Sequence, residues 1–371
     1  MSAFDRIIGY KIIKKELERT ADALKNTEVY RALGVSTPRG LLLHGEPGVG
    51  KSLMASCLIE ESGRNVLTLR RDKPDGDFVR AIKDILPNSL IRAGRFDRVI
   101  EVECPDKNDA PEIIAHFLAD KPLAKDVDAK TVARLLSGCS CAELETATNA
   151  AGMLAAYERC PSIMMRHIIM GCISVTHGIT ADHILTNRTD NLHDANSTIA
   201  RVACHEAGHA VVAETLEPGS VTLACVHEPQ GRSRGIVMYA ASNDSSAEKH
   251  LNSIIRAVAG YTAAEFFLGI ADMGASEDIR KAKDEIFGLI SDNRYCGSYL
   301  LDSVCRDSNE LRARQELAVS MELDRSIVRA KKILIENRSF FEAVIVNLLQ
   351  KGLLTGEDIQ EIKRNSMRTC T

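Results

Sequence analysis

The sequence predicts an α/β beginning, a helical middle and a mostly helical end, on three observations. Residues 1–104 alternate short apolar runs with helical stretches, the pattern of parallel strands joined by helices. From Asp106 to about Leu185, apolar residues recur every three to four positions. From Ser197 onward the helical period dominates, broken by one β pair at 221–226 and 235–239.

Taken in order, residues 40–44 read as a strand, 51–61 as a helix and 66–69 as a second strand. Residues 77–85 read as helix and 99–102 as a further strand. The middle part carries helical spacing at 110–119, 129–136, 141–157 and 164–174. The polar stretch 187–196 reads as a linker.

A chain of 371 residues is long enough for two or three domains with real cores. Its 47 basic and 51 acidic residues nearly balance, which argues against a protein built to coat nucleic acid. With no Trp and 4% aromatic residues, the core has to be aliphatic. The longest run without a charged residue, 167–181, is 15 residues with two His and two Gly, short of the ~20 apolar residues of a membrane span. The first residues, MSAFDRIIGYKII, carry charges throughout and no signal-peptide core. Eleven cysteines without a CxxC pair read as reduced, mostly buried residues of a cytoplasmic protein.

The first chemical motif follows the first strand. Gly45-Glu46-Pro47-Gly48-Val49-Gly50-Lys51-Ser52 fits G-x-x-x-x-G-K-[ST], between an apolar strand and a helix. Glycines let backbone N–H groups curl around a phosphate. Lys51 supplies a point charge, Ser52 can hold Mg²⁺, and the helix N-terminus adds its dipole. Further on, Arg95 and Arg98 flank Asp97 in a loop before a strand; such arginines serve a neighbouring subunit's nucleotide or are simply solvated.

The second motif is His205-Glu206-Ala207-Gly208-His209. Residues four apart on a helix differ by ~40° about its axis, so both imidazoles face one way. Neutral imidazoles are good zinc ligands, and Glu206 stands where it can take a proton from water at such a metal. Ile199, Val202, Ala203, Ala207, Ala210 and Val211 supply the helix's apolar face.

Phe4-Asp5-Arg6-Ile7-Ile8-Gly9, the phosphate loop and residues 90–98 together resemble the AAA+ module of FtsH-type ATP-dependent zinc metalloproteases. The resemblance implies an α/β P-loop AAA+ remnant plus a helical lid, followed by a mostly α-helical zinc metalloprotease domain. It divides the chain into a shortened AAA+ core at 1–104, a lid at 105–186, the linker at 187–196 and a metallopeptidase domain at 197–371. It also implies Ile7, Ile8 and Gly9 at the adenine, and Arg95 and Arg98 as fingers reaching a neighbour's ATP. Met273-Gly-Ala-Ser-Glu-Asp278 resembles the segment carrying the family's third zinc ligand, which assigns Asp278, 69 residues beyond His209. Taken alone, Asp278 reads more often as a helix N-terminal acid. Glu265 stands where a hydrogen-bond partner of a zinc-binding His is expected. Residues 235–239 are expected to bind substrate by strand addition.

One departure stands out. Only 43 residues separate Lys51 from Arg95, and none of them forms an apolar strand ending in Asp-Glu, which this class of ATPase uses to hold Mg²⁺. ATP binding with Mg²⁺ is therefore expected and ATP hydrolysis is not. The family's N-terminal membrane segments are also expected to be absent. The resemblance implies Zn²⁺ and ATP as cofactors, protein or peptide substrates, and a homo-oligomeric ring, hexameric in the family. Location is expected to be cytoplasmic, or membrane-associated through an anchored homologue. The alternative is a degenerate nucleotide-binding ring subunit with little proteolysis of its own.

Overall fold

The fold is described from a computed structural model. It describes residues 2–368 apart from 39, 65–97, 185, 187, 189, 192, 229–233, 241–245, 271–274 and 292–308. The expected strand at 66–69, the expected helix at 77–85 and Arg95 lie outside the described residues. The chain forms two compact units, Met1–Gly178 and Ile179–Thr371.

In the first unit, α1 (Lys11–Lys25) and α2 (Thr27–Ala32) precede β1 (Leu41–His44). The phosphate loop leads into α3 (Lys51–Ser62), and β2 (Arg98–Glu101) pairs parallel with β1, Leu42 opposite Val99. Four helices complete the unit: α4 (Asp109–Leu118), α5 (Ala129–Leu135), α6 (Cys141–Tyr157) and α7 (Met165–His177). Ser140 and Glu143 form a capping box that starts α6. At Gly171 a Cβ would fall 2.4 Å from the Ala147 carbonyl oxygen, so glycine sets how closely α6 and α7 pack. The expected core and the expected lid as far as Gly178 fall in this unit, while residues 179–186 fall in the second.

The second unit is built on α8 (Thr198–Leu216), started by a Ser197 cap. Beside it stand β3 (Val221–His227) and β4 (Arg234–Tyr239). Then come α9 (Ala247–Ala257), α10 (Ala259–Ala263), a π-helical turn (Ala264–Leu268), α11 (Ser276–Ser291) and α12 (Asn309–Glu336). The chain continues through α13 (Arg338–Lys351), β5 (Leu353–Thr355) and α14 (Gly356–Arg368). The sheet order is β4-β3-β5, all antiparallel, which leaves β4 at an edge and buries every residue of β3.

The core of this unit is aliphatic, as the sequence requires, with Phe340 and Phe341 its buried rings. Residues 187–196, expected as a linker, hydrogen bond within the second unit. Arg188 N–H donates to the Leu349 carbonyl at 3.0 Å, and the Ser197 hydroxyl to Asp190 at 3.0 Å. Among the described residues, no helix is long and apolar enough to cross a membrane.

Candidate functional site

The central helix α8 is apolar on nearly all sides, and its motif residues are buried with it: His205, Glu206 and His209 are 7–8% exposed. Small residues at the motif's other two positions serve a close helix crossing. A Cβ on Gly208 would fall 2.6 Å from Ala263 Cβ and 2.7 Å from the Ala259 carbonyl oxygen, so α10 runs directly over the motif.

Asp278, in the first turn of α11, comes in from another part of the chain. Its Oδ2 is 3.2 Å from His205 Nε2 and 3.4 Å from His209 Nε2, and the two imidazole nitrogens are 3.0 Å apart. Ligands ~2.0–2.1 Å from a tetrahedral zinc stand about 3.3 Å from one another. The three atoms therefore have the spacing of one face of such a tetrahedron.

Protonation agrees with that reading. His209 Nδ1–H donates to the Arg256 carbonyl at 2.8 Å, so the neutral ring turns its Nε2 lone pair toward His205 and Asp278. Arg256 lies in the last turn of α9, where carbonyls have no partner within the helix.

Two glycines make room for the motif. A Cβ on Gly260 would lie 2.5 Å from His205 Nε2, and a Cβ on Gly235 would lie 2.2 Å from Glu206 Cγ. The first fixes how α10 meets the His205 ring. The second brings the start of edge strand β4 onto the Glu206 carboxylate. At the far end of β4, the Arg256 guanidinium lies 4.1 Å from the centre of the Tyr239 ring. Glu265 is exposed on the π-helical turn, and the carbonyl partner of His209 comes from Arg256 instead.

In the first unit the phosphate loop has the conformation its glycines allow. Gly45, Gly48 and Gly50 all take positive φ, at 142°, 83° and 93°. A Cβ on Gly45 would be 2.0 Å from the Val102 carbonyl oxygen, so no other residue fits where the loop leaves β1. Lys51 and Ser52 open α3, and the Lys51 ammonium spans the loop to the Gly45 and Glu46 carbonyls at 3.0 and 2.7 Å. Glu46, Pro47 and Gly48 line a cavity of about 550 Å³ with Cys104, Gly138, Ser140, Ala142 and Glu143.

Ile7 is buried, Ile8 partly so, and Gly9 turns with φ 69°. The next residue, Tyr10, ties this segment to the Glu103 carbonyl at 2.9 Å and to Cys141 Sγ at 3.6 Å. Arg98 heads β2 and pairs with Glu16 at 2.9 Å.

The sequence gives no sign of Arg256, and names Tyr239 only as the end of the strand expected to bind substrate. A glycine or arginine outside any motif carries no local sign that it abuts a site folded from elsewhere.

Comparison with known proteins finds similar sequences over the same residues. The model of peptidase family M41 matches residues 194–292, which span α8, β3, β4 and Asp278. The chain is 26% identical to the ATP-dependent zinc metalloprotease FtsH of Thermus thermophilus, over 97% of this chain and 70% of the relative. It is 28% identical to FtsH 2 of Symbiobacterium thermophilum, over 97% and 74%. It is 26% identical to FTSH 11, chloroplastic/mitochondrial, of Arabidopsis thaliana, over 98% and 53%. The Thermus match runs over 447 positions, more than the 371 residues of this chain, so that relative carries segments with no counterpart here.

Proposed function

We propose that this chain, an FtsH-type zinc metalloprotease over nearly its whole length, hydrolyses peptide bonds at a zinc centre held by His205, His209 and Asp278. The observation that carries the proposal is the convergence of their three donor atoms at 3.0–3.4 Å, with the His209 lone pair turned inward by the Arg256 carbonyl. When bound there, zinc supplies a Lewis acid that polarises a carbonyl and acidifies water.

The chain's own residues do the rest. Glu206, next to His205 in the helix and buried with both histidines, takes the proton of the attacking water and returns it to the departing amine. Its low exposure keeps bulk water from competing for that proton. Edge strand β4 offers unpaired backbone groups beside Glu206, so an extended substrate adds to it as a further strand.

The nucleotide half follows from the loop geometry. Gly45 to Ser52 cradle the phosphates of ATP or ADP, with Lys51 leaving its carbonyl partners for them, and Ile7 to Gly9 receive the base. The sequence between Lys51 and Arg95 offers no apolar run, outside the helix after the loop, that ends in Asp-Glu to hold Mg²⁺ for hydrolysis, so turnover stays near background. Arg98, with Arg95, would face a neighbouring subunit of a homo-oligomeric ring.

The test uses a tightly folded protein and the same protein unfolded, each with and without ATP and with a chelator. The expected result is chelator-sensitive, ATP-independent cleavage of the unfolded form only. Degradation of the folded form only when ATP is added would show a working motor. No cleavage of either form by the zinc-loaded protein would overturn the protease assignment.

A further inference from the structure

Beside the metal site stands a cation that has no acidic partner among the described residues. Arg256 is half-buried, and its guanidinium stacks on the Tyr239 ring at 4.1 Å; its one described side-chain hydrogen bond is a long one to the Ser253 hydroxyl, 3.4 Å. Among the described residues, no carboxylate stands within ion-pair distance of it. The carboxylate that feels it, Glu217, already accepts from Lys249 at 2.8 Å and from Asn252 at 3.2 Å.

Three features place this guanidinium on the substrate's path. Its own backbone carbonyl holds His209, a metal-site residue. The ring beneath it belongs to the last residue of edge strand β4, the strand whose Gly235 lies against Glu206. From Gly235 to Tyr239 is four residues, or about 13 Å of extended chain.

Charge favours an anion there. With a divalent metal in place, the charges of Asp278 and Glu206 are balanced, and Arg256 is left as a net positive group. An arginine stacked on an aromatic face still presents the edge of its planar fork, which matches a carboxylate with two parallel hydrogen bonds.

Taking the protease assignment as the premise, we infer that Arg256, held by Tyr239, forms a subsite for a carboxylate of the substrate peptide, about four residues from the bond that is cut. The carboxylate is an acidic side chain or the peptide's own C-terminus; both offer the same two oxygens.

The test is binding of fluorescent decapeptides to the Glu206→Gln protein, followed by anisotropy. One peptide carries Glu four residues from its centre and its twin carries Gln. Each is made with a free and with an amidated C-terminus. The expected result is ~10-fold tighter binding of whichever form carries the carboxylate, a typical gain for one charge-assisted pair. Adding Arg256→Gln should erase that difference. Arg256→Lys, which keeps the charge but not the fork, should retain part of it, and thermal unfolding of both variants shows that they fold.

Equal binding of charged and neutral peptides, or a preference that survives Arg256→Gln, overturns the subsite. Cleavage of the neutral, amidated peptide by the native chain is a separate readout. If it is not cut while the carboxylate preference holds, the protease assignment falls and the subsite stands. If it is cut without any preference, the reverse follows.

Discussion

Among the described residues two clusters each bring three side chains able to ligate a metal together, and their wiring differs. His205, His209 and Asp278 converge in the second unit; Glu158, Cys160 and His167 converge in the first. In the second of these the cation is already present, because Arg166 reaches Glu158 Oε2 at 2.5 Å and Cys160 Sγ at 3.6 Å. The fully buried His167 accepts the Met164 backbone N–H on Nδ1 at 3.0 Å, so its hydrogen sits on Nε2 and donates to Glu158 at 3.2 Å. A nitrogen that carries a hydrogen has no lone pair for a metal. His209 is wired the opposite way, donating through Nδ1 and keeping Nε2 open. The lesson is that the direction of a histidine's lone pair, set by its backbone partner, distinguishes a cluster open to a metal from a helix cap that also gathers His and carboxylate groups.

The largest expected effect tests that distinction directly. The native chain should hold about one zinc, and His205→Ala, His209→Ala or Asp278→Ala should each reduce it to near zero by metal analysis. Cys160→Ala and His167→Ala should leave the zinc content unchanged. Full occupancy in Asp278→Ala would remove that residue from the site, and loss of zinc in His167→Ala would make the two clusters equivalent.

Next in size is a separation of metal from chemistry. Glu206→Gln keeps the shape and removes the proton acceptor, so zinc should stay while peptide cleavage falls by roughly 10²-fold or more. Undiminished cleavage of an unfolded substrate would place the chemistry elsewhere.

A smaller effect is expected from a residue that ligates nothing. Gly260→Ala puts a methyl group 2.5 Å from His205 Nε2, so the ring or α10 has to shift. Zinc affinity should drop on the order of 10-fold, the scale on which displaced supporting groups act, read by competition with a chelator of known strength. Unchanged affinity would mean that the helix crossing is looser than its contacts indicate.

These contrasts also mark what the sequence could reveal. The phosphate loop and the His205 to His209 motif are legible because each is local: a run of glycines before a helix, and two His one turn apart. The first residues of β1 and β2 shift by one position from their expected bounds, as strand ends do. Asp278 became visible only through family resemblance, because 69 residues of chain separate it from His209 and its own spacing says only that an acid opens a helix. Gly235, Gly260 and Arg256 matter through what folds against them, which no local pattern carries. The segment 187–196 was misleading for a related reason. Its polar composition suggests a free linker, yet its backbone bonds to Leu349 and its side chains bond to one another.

The smallest expected effect returns to the first unit and to pH. The Glu158 carboxyl is held below its ordinary range, chiefly by Arg166 and then by His167. A carboxyl lowered on folding stabilises the native state above its unfolded pKa, and that stabilisation is lost as pH falls through the folded value. Glu158→Gln should therefore lower the unfolding midpoint of the chain at pH 7, and the gap from the native chain should close as the pH is taken down through 4. Zinc content should be the same in both at pH 7. Because Arg166 and Glu158 are partly exposed, the gap should also narrow in high salt, as a screened ion pair does. A gap that stays constant from pH 7 to below 4 would show that Glu158 acts through packing or uncharged hydrogen bonds. The cation seated in this cluster would then contribute nothing that a neutral amide could not supply.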